Sequence, residues 1–188
     1  MKEDLRRRIM KKRSVVSTLE LMEKSAKIKH RIFEMALFRN AQTILFYVSY
    51  DNEVYTHDMI KESMSMGKTV VVPKSVTKDN TLILSKLIDW NDLEVGAYNI
   101  LEPKQESIKE VPVESIDLIL VPGVVFDIHG NRIGHGKGYY DRLLNDTQNV
   151  PHIGLAFEFQ IVDAVPAEEH DEKVDIIVTE ERIIDCKS

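Results

Sequence analysis

Leu118-Ile119-Leu120-Val121-Pro122-Gly123, continuing through Val124-Val125-Phe126-Asp127 to Gly130-Asn131-Arg132-Ile133-Gly134-His135-Gly136-Lys137-Gly138-Tyr139-Tyr140-Asp141-Arg142, decides how this chain folds. Its apolar run, stopped by Pro122-Gly123, has the continuous hydrophobicity of a strand buried on both faces. Four of the eight glycines follow between Gly130 and Gly138. Glycines let backbone N–H groups close on an anion, and a helix beginning just after them adds its positive end. The segment therefore reads as a phosphate cradle between a buried strand and a helix. That helix is expected from Lys137 to Asn145, with Tyr140, Leu143 and Leu144 facing inward.

Working outward, Thr43 to Ser49 is a second continuous apolar run, expected to be a strand buried on both faces. Thr56 is placed to cap a helix from His57 to Met66, Gly67 closes it, and Thr69 to Pro73 forms the next strand. A β–α–β unit with parallel strands is the default for this order. Ligands of open α/β sheets bind beyond the carboxyl ends of strands, which puts Val48 to Glu53 in the expected crevice. Glu53 taken alone also fits a solvated loop. Residues 2 to 13 read as a basic helix with Leu5, Ile9 and Arg13 on one side, and with Lys2 and Arg6 sharing a face. Ser17 and Glu20 have capping-box spacing for a helix running to about Phe38.

Between residues 75 and 115 the pattern is weaker. Thr81 to Leu87 reads as a strand, Asp89 to Asp92 as a turn or helical start, Gly96 to Pro103 as extended, and Lys104 to Val113 as polar loop. Trp90 and Tyr98 are candidates either for stacking on a flat ligand or for packing. On the other side, Pro151 to Phe157 and Lys173 to Thr179 are strands, the second pairing with Arg182 to Ile184, and an acidic loop around Glu168 to Glu172 lies between them. Alternating strands and helices imply one α/β domain over residues 1–188 with a mainly parallel sheet.

The 188 residues are 43% hydrophobic and 30% charged, the balance of a globular protein with a sizeable core. A net charge of −6 gives no reason to expect nucleic acid or an anionic membrane as partner. The single cysteine, Cys186, excludes an intrachain disulfide and is too isolated for structural zinc. No apolar run approaches the ~20 residues of a membrane span. A cytosolic monomer is expected.

The glycine spacing excludes two nucleotide fingerprints. Lys137 is followed by Gly138, so there is no GxxxxGK[ST], and Gly134, Gly136 and Gly138 do not make GxGxxG. What remains is a loop carrying Arg132, His135 and Lys137. Arginine recognises phosphate with a fork of donors and lysine as a mobile point charge. Asp141 is a candidate for a phosphate-bridged Mg²⁺, or is paired with Arg142 or capping the helix. Asp171 is a second candidate carboxylate. Residue chemistry alone points to an ATP- or phosphate-using enzyme with an undefined acceptor.

The run from Pro122 to Asp127 and from Gly130 to Arg142 resembles the signature of the 5-formyltetrahydrofolate cyclo-ligase family. Lys2-x-x-Leu5-Arg6, the segment Val48 to Glu53, and Val165-Pro166 with Asp171 and Val174-Asp175 fall where that family has matching segments. The resemblance implies a three-layer α/β/α fold related to phosphosugar isomerases and CoA transferases. It implies ATP-dependent conversion of 5-formyltetrahydrofolate to 5,10-methenyltetrahydrofolate with Mg²⁺, releasing ADP and phosphate. Lys2, Arg6, Arg132, Ile133, Gly134, His135, Gly136, Lys137, Gly138, Tyr139 and Tyr140 would then contact ATP. Val48 and Glu53, with the inner face of the loop from His135 through Gly136, Lys137 and Gly138 to Tyr139, would contact the folate. Asp141 and Asp171 would serve Mg²⁺, and Lys137, Arg132 and Tyr139 would act in catalysis. Position 135 is commonly arginine in the family and is histidine here. Two rival readings are a same-fold enzyme with another acceptor and a non-catalytic nucleotide or folate binder.

Overall fold

The computed structural model describes residues 1–168 and 171–187, so Glu169 and His170 of the acidic loop and Ser188 lie outside the described residues. The chain opens with α1 (Lys2–Ser14), α2 (Thr18–Glu34) and α3 (Ala36–Asn40). Ser17 caps α2 as its spacing implies, accepting the Glu20 N–H at 3.2 Å. The expected single helix to Phe38 is broken at Met35, whose ψ of 136° is extended. The break turns Phe38 into the core, where its ring stacks on Phe33 at 4.3 Å.

Next come β1 (Thr43–Leu45), α4 (His57–Ser65), β2 (Thr69–Val76) and β3 (Thr81–Lys86), then a ribbon of β4 (Leu93–Val95) and β5 (Leu101–Pro103). The apolar run after Leu45 stays buried through Ser49, but the ladder ends at Phe46, whose N–H donates to the Val71 carbonyl at 2.9 Å. The remaining elements are β6 (Leu118–Val121), β7 (Val125–Asp127), β8 (Arg132–Ile133), α5 (Tyr139–Asp146), β9 (His152–Leu155), β10 (Ile161–Val162), β11 (Ile176–Val178) and β12 (Ile183–Asp185).

Seven strands form the central sheet in the order β12-β11-β9-β6-β1-β2-β3. Strands β11, β9, β6, β1 and β2 pair in parallel, and β12 and β3 close the two edges as antiparallel hairpins. Alternate residues feed opposite cores. Ile44, Val70, Leu118, Leu120 and Ile153 pack with Ile28 and Ile32 of α2 and Met59 and Ile60 of α4. Leu45, Val71, Ile119, Val121 and Ile177 pack with Leu143 and Leu144 of α5. Helices therefore cover both faces, which is why these strands read as unbroken apolar runs.

The deciding stretch departs from expectation in its path. The glycine loop does not leave the main sheet directly. After β6 the chain enters a smaller sheet, β10-β7-β8, and the loop runs from β8 to α5. Ile9 of α1 packs on this small sheet with Val124, Val125, Ile133 and Val165. From β1 the chain steps to β2 on one side and later to β6 on the other, so the order reverses between β1 and β6. That is where an open α/β sheet leaves a crevice.

Candidate active site

A cleft of about 950 Å³ opens at that reversal, near the top of the ~300–1,000 Å³ range of small-molecule sites. The extension of β1 supplies Val48, Tyr50 and Glu53, and the end of β6 supplies Pro122 and Gly123. Every residue expected of the site lines this one cleft: Lys2, Arg6, Val48, Glu53, the loop from Arg132 to Tyr140, Asp141 and Asp171.

The floor is built from Asp127. Its buried carboxylate accepts the backbone N–H groups of His129, Asn131 and Val165 at 2.9 to 3.0 Å, fixing the turn between β7 and β8. Arg132 follows, with its side chain 4% exposed and Nη2 donating to Asp141 Oδ1 at 2.8 Å. Burial pulls its guanidinium below the ordinary value and the Asp141 charge opposes that pull. Asp141 thus pairs with Arg132 rather than Arg142, which instead donates to the Asp79 carbonyl. Two polar atoms here make no hydrogen bond among the described residues: the buried Arg132 Nε and the Tyr140 hydroxyl. Desolvation, then the Glu53 charge, push the Tyr140 phenol well up, so it is a donor at any physiological pH.

Gly136 and Gly138 have φ of +87° and +71°, where an L side chain would be strained. Gly138 is the N-cap of α5 and brings no side chain to cap it, leaving N–H groups of its first turn open to an anion. The helix accordingly starts at Tyr139, two residues later than its expected start at Lys137. Lys137 is exposed, makes no ion pair among the described residues, and holds its ammonium 5.9 Å from the Tyr98 ring centre. The Tyr139 hydroxyl lies 3.5 Å from that of Tyr98. Desolvation, then the Tyr98 contact and Glu102, push the Tyr139 phenol up to about 12.

At one end, α1 reaches over the loop. Arg6 Nε donates to the Gly134 carbonyl at 3.0 Å. Lys2 Nζ contacts Asp171 Oδ2 at 2.6 Å and Glu168 Oε1 at 3.0 Å. Partial burial disfavours the Lys2 charge, but these bonds outweigh it and hold its pKa above the ordinary value. On the other side, His135 Nε2 stands 3.3 Å from Glu53 Oε1 and 3.3 Å from the Tyr50 hydroxyl. Glu53 is 7% exposed and its other oxygen accepts the Tyr50 N–H at 3.2 Å, so it is not a solvated loop residue.

Cations, open loop N–H groups and two carboxylates in one cleft fit a nucleotide polyphosphate. Among the described residues no cluster of three or more metal-ligating side chains exists. Mg²⁺ on a nucleotide needs only one or two carboxylates beside phosphate oxygens and water, so Asp141 and Asp171 fit it.

Sequence reasoning missed Glu102 and Arg142 as cleft residues. Tyr50 lies inside the expected crevice segment Val48 to Glu53, which was its signal. Glu102 carried none: its carboxylate accepts the N–H groups of Ser75 and Ala97 at 3.0 and 3.3 Å, across two separate segments. Tyr98 belongs to the cleft. Trp90 packs instead, on His57 at 4.8 Å and under Lys61 at 4.5 Å.

Comparison with known proteins gives the family. The model of the 5-formyltetrahydrofolate cyclo-ligase family matches residues 1–180. The mouse 5-formyltetrahydrofolate cyclo-ligase is 29% identical, over 96% of this chain and 94% of its own length. The Haemophilus influenzae 5-formyltetrahydrofolate cyclo-ligase is 31% identical, over 90% and 92%. The NMR structure of Aquifex aeolicus 5,10-methenyltetrahydrofolate synthetase superposes with a TM-score of 0.88 at 32% identity, covering 100% of this chain and 93% of that one. A family match over residues 1–180, which takes in every residue of the cleft named above, assigns the chain: it belongs to the 5-formyltetrahydrofolate cyclo-ligase family.

Proposed function

We propose that this chain catalyses ATP- and Mg²⁺-dependent cyclisation of 5-formyltetrahydrofolate to 5,10-methenyltetrahydrofolate, releasing ADP and phosphate. The observation that carries the reading is the convergence, in one cleft, of Lys2, Arg6, the glycine loop, Val48 and Glu53 from distant parts of the chain. A formamide carbon is a poor electrophile and its oxygen a poor leaving group. Transfer of the γ-phosphoryl group to that oxygen makes it phosphate. N10 then forms its bond to the carbon, the C–O bond breaks, phosphate departs and N10 loses its proton.

Positioning and charge stabilisation supply most of the rate in such transfers. Arg132, held in place by Asp141, and the Tyr140 hydroxyl present oriented donors on the floor. Lys137 brings a charge that follows the transferred group, while Tyr139 donates from the rim. Lys2, Arg6 and the loop from Ile133 to Gly138 hold the polyphosphate. Glu53, Val48 and His135 form the folate side. Asp141 and Asp171 would hold Mg²⁺, which would supply neutralisation of the nucleotide's negative charge.

Among the described residues no helix is long and apolar enough to cross a membrane. The reading extends to a monomer working in the cytosol, which sedimentation and cell fractionation test. The functional test is direct. Purified protein with 5-formyltetrahydrofolate, ATP and Mg²⁺ is expected to build methenylfolate absorbance with time. Nucleotide binding without product favours the non-catalytic binder, and ATP consumption only with another acceptor favours the same-fold enzyme.

A further inference from the structure

The Tyr50–Glu53 turn, which carries Glu53 into the cleft, is tied to the end of α1 opposite Lys2 and Arg6. Asn52 Nδ2 donates to the Arg13 carbonyl at 2.9 Å. Arg13 Nη2 lies 3.5 Å from Asp51 Oδ2, and Asp51 holds a φ of +51°, a left-handed conformation that needs support. Arg13 is 2% exposed, and its two terminal nitrogens make no hydrogen bond among the described residues. A buried guanidinium with one counter-ion among the described residues, at that distance, is a net cost to folding, and an apolar side chain of like size would remove it. Stability therefore gives no reason for a charge here. Its field reaches the cleft side: burial and the Glu53 charge raise the Tyr50 phenol, and Arg13 pulls the other way.

Helix α1 is a rod between the two halves of the cleft. From Lys2 to Arg13 it spans about 16 Å at ~1.5 Å per residue. Ile9, midway, seats it on the small sheet that feeds the glycine loop. An arriving polyphosphate competes for Lys2 with Asp171 and Glu168, changing what holds the front of the rod. A ligand shifts an equilibrium only through such differential contacts, and the resulting coupling is reciprocal.

We propose that Arg13 is a positioning residue that links the polyphosphate end of α1 to the Tyr50–Glu53 turn, so that nucleotide binding tightens folate binding. This rests on the nucleotide-and-folate reading of the cleft. The test measures affinity for 5-formyltetrahydrofolate with and without Mg²⁺ and a non-hydrolysable ATP analogue, for wild type and Arg13→Met, alongside turnover. In wild type the analogue is expected to tighten folate binding about 5-fold or more, within the usual range of coupling between sites. In Arg13→Met that factor falls to about 1 and the folate KM rises roughly 10-fold, while affinity for the analogue alone holds and Tm is unchanged or higher. Arg13→Lys restores part of the coupling, a rescue that a purely structural role would not produce. A wild-type coupling factor retained in Arg13→Met overturns the proposal, as does wild type that turns over without coupling. Wild type that binds no folate overturns the functional reading as well. Should Arg13→Met fail to fold, Asn52→Ala cuts the other tie and is expected to lower the factor; an unchanged factor there is equally fatal.

Discussion

Arg132 and Lys137 stand five positions apart on one loop and are built in opposite ways. Arg132 is buried, its turn fixed by Asp127 and its guanidinium held by Asp141 at 2.8 Å. Lys137 is exposed, with the Tyr98 ring 5.9 Å from its ammonium and no ion pair among the described residues. The first is oriented before any ligand arrives, so its ordering is already accounted for in folding. The second carries about 2 kcal/mol of rotamer entropy that is surrendered only on binding. In the proposed reaction, a floor of fixed donors would aim the transferred group and a rim of mobile charge would follow it.

The contrast breaks first at Arg132. Arg132→Ala leaves Asp141 half-buried beside an emptied site, and is expected to lower stability by about 3 kcal/mol, roughly 6–12 °C in Tm, as well as kcat/KM by ~10³-fold or more. Thermal denaturation beside the methenylfolate assay reads both. Lys137→Ala comes next, with kcat/KM down ~10²–10³-fold and Tm essentially unchanged. If its Tm fell as far as that of Arg132→Ala, the division into floor and rim would be wrong. His135→Arg is a smaller perturbation. Arginine restores the fork that suits phosphate and can still reach Glu53, so the apparent KM for ATP is expected to be unchanged or lowered a few-fold. A large loss would show that the bonds of His135 to Glu53 and Tyr50 have a function of their own.

The smallest effect concerns the support beneath the floor. His152 is buried behind the end of α5, with Nε2 2.9 Å from Thr147 Oγ1, and burial lowers its pKa. The Thr147 hydroxyl donates to the Leu143 carbonyl at 2.8 Å, so the imidazole N–H donates to Thr147. With a depressed folded pKa, the unfolded chain binds more protons at acid pH. Stability is therefore fully present above the ordinary value of about 6.5 and declines as pH falls below it. His152→Gln is expected to flatten that part of a Tm-versus-pH series. An unchanged slope would assign it to other groups.

Much of the architecture was legible because the relevant signals are local. Unbroken apolar runs at Ile44, Val70 and Leu118 mark strands covered on both faces, and Ser17 with Glu20 marks a helix start. The failures have specific causes. The helix expected to reach Phe38 stops at Met35 because burying Phe38 against Phe33 outweighs helical continuity there. The detour through β7 and β8 was hidden because Val124 to Ile133 has no periodicity to separate it from an ordinary turn. Glu102 was invisible because its stronger backbone partner, Ser75, lies 27 positions away.

By itself the sequence determined the strands' double burial, the capacity of the loop from Gly134 to Gly138 to approach an anion, the absence of the two common nucleotide fingerprints, and the resemblance to one family. Tertiary structure alone decided the partnerships: Asp141 with Arg132 instead of Arg142, Glu53 with His135 across 82 positions, Lys2 with Asp171 across 169, and the burial of Arg13 beneath the Tyr50–Glu53 turn. Side-chain chemistry and periodicity are written within a few neighbouring residues. Which charges meet depends on the order in which a folded sheet brings distant strand ends together.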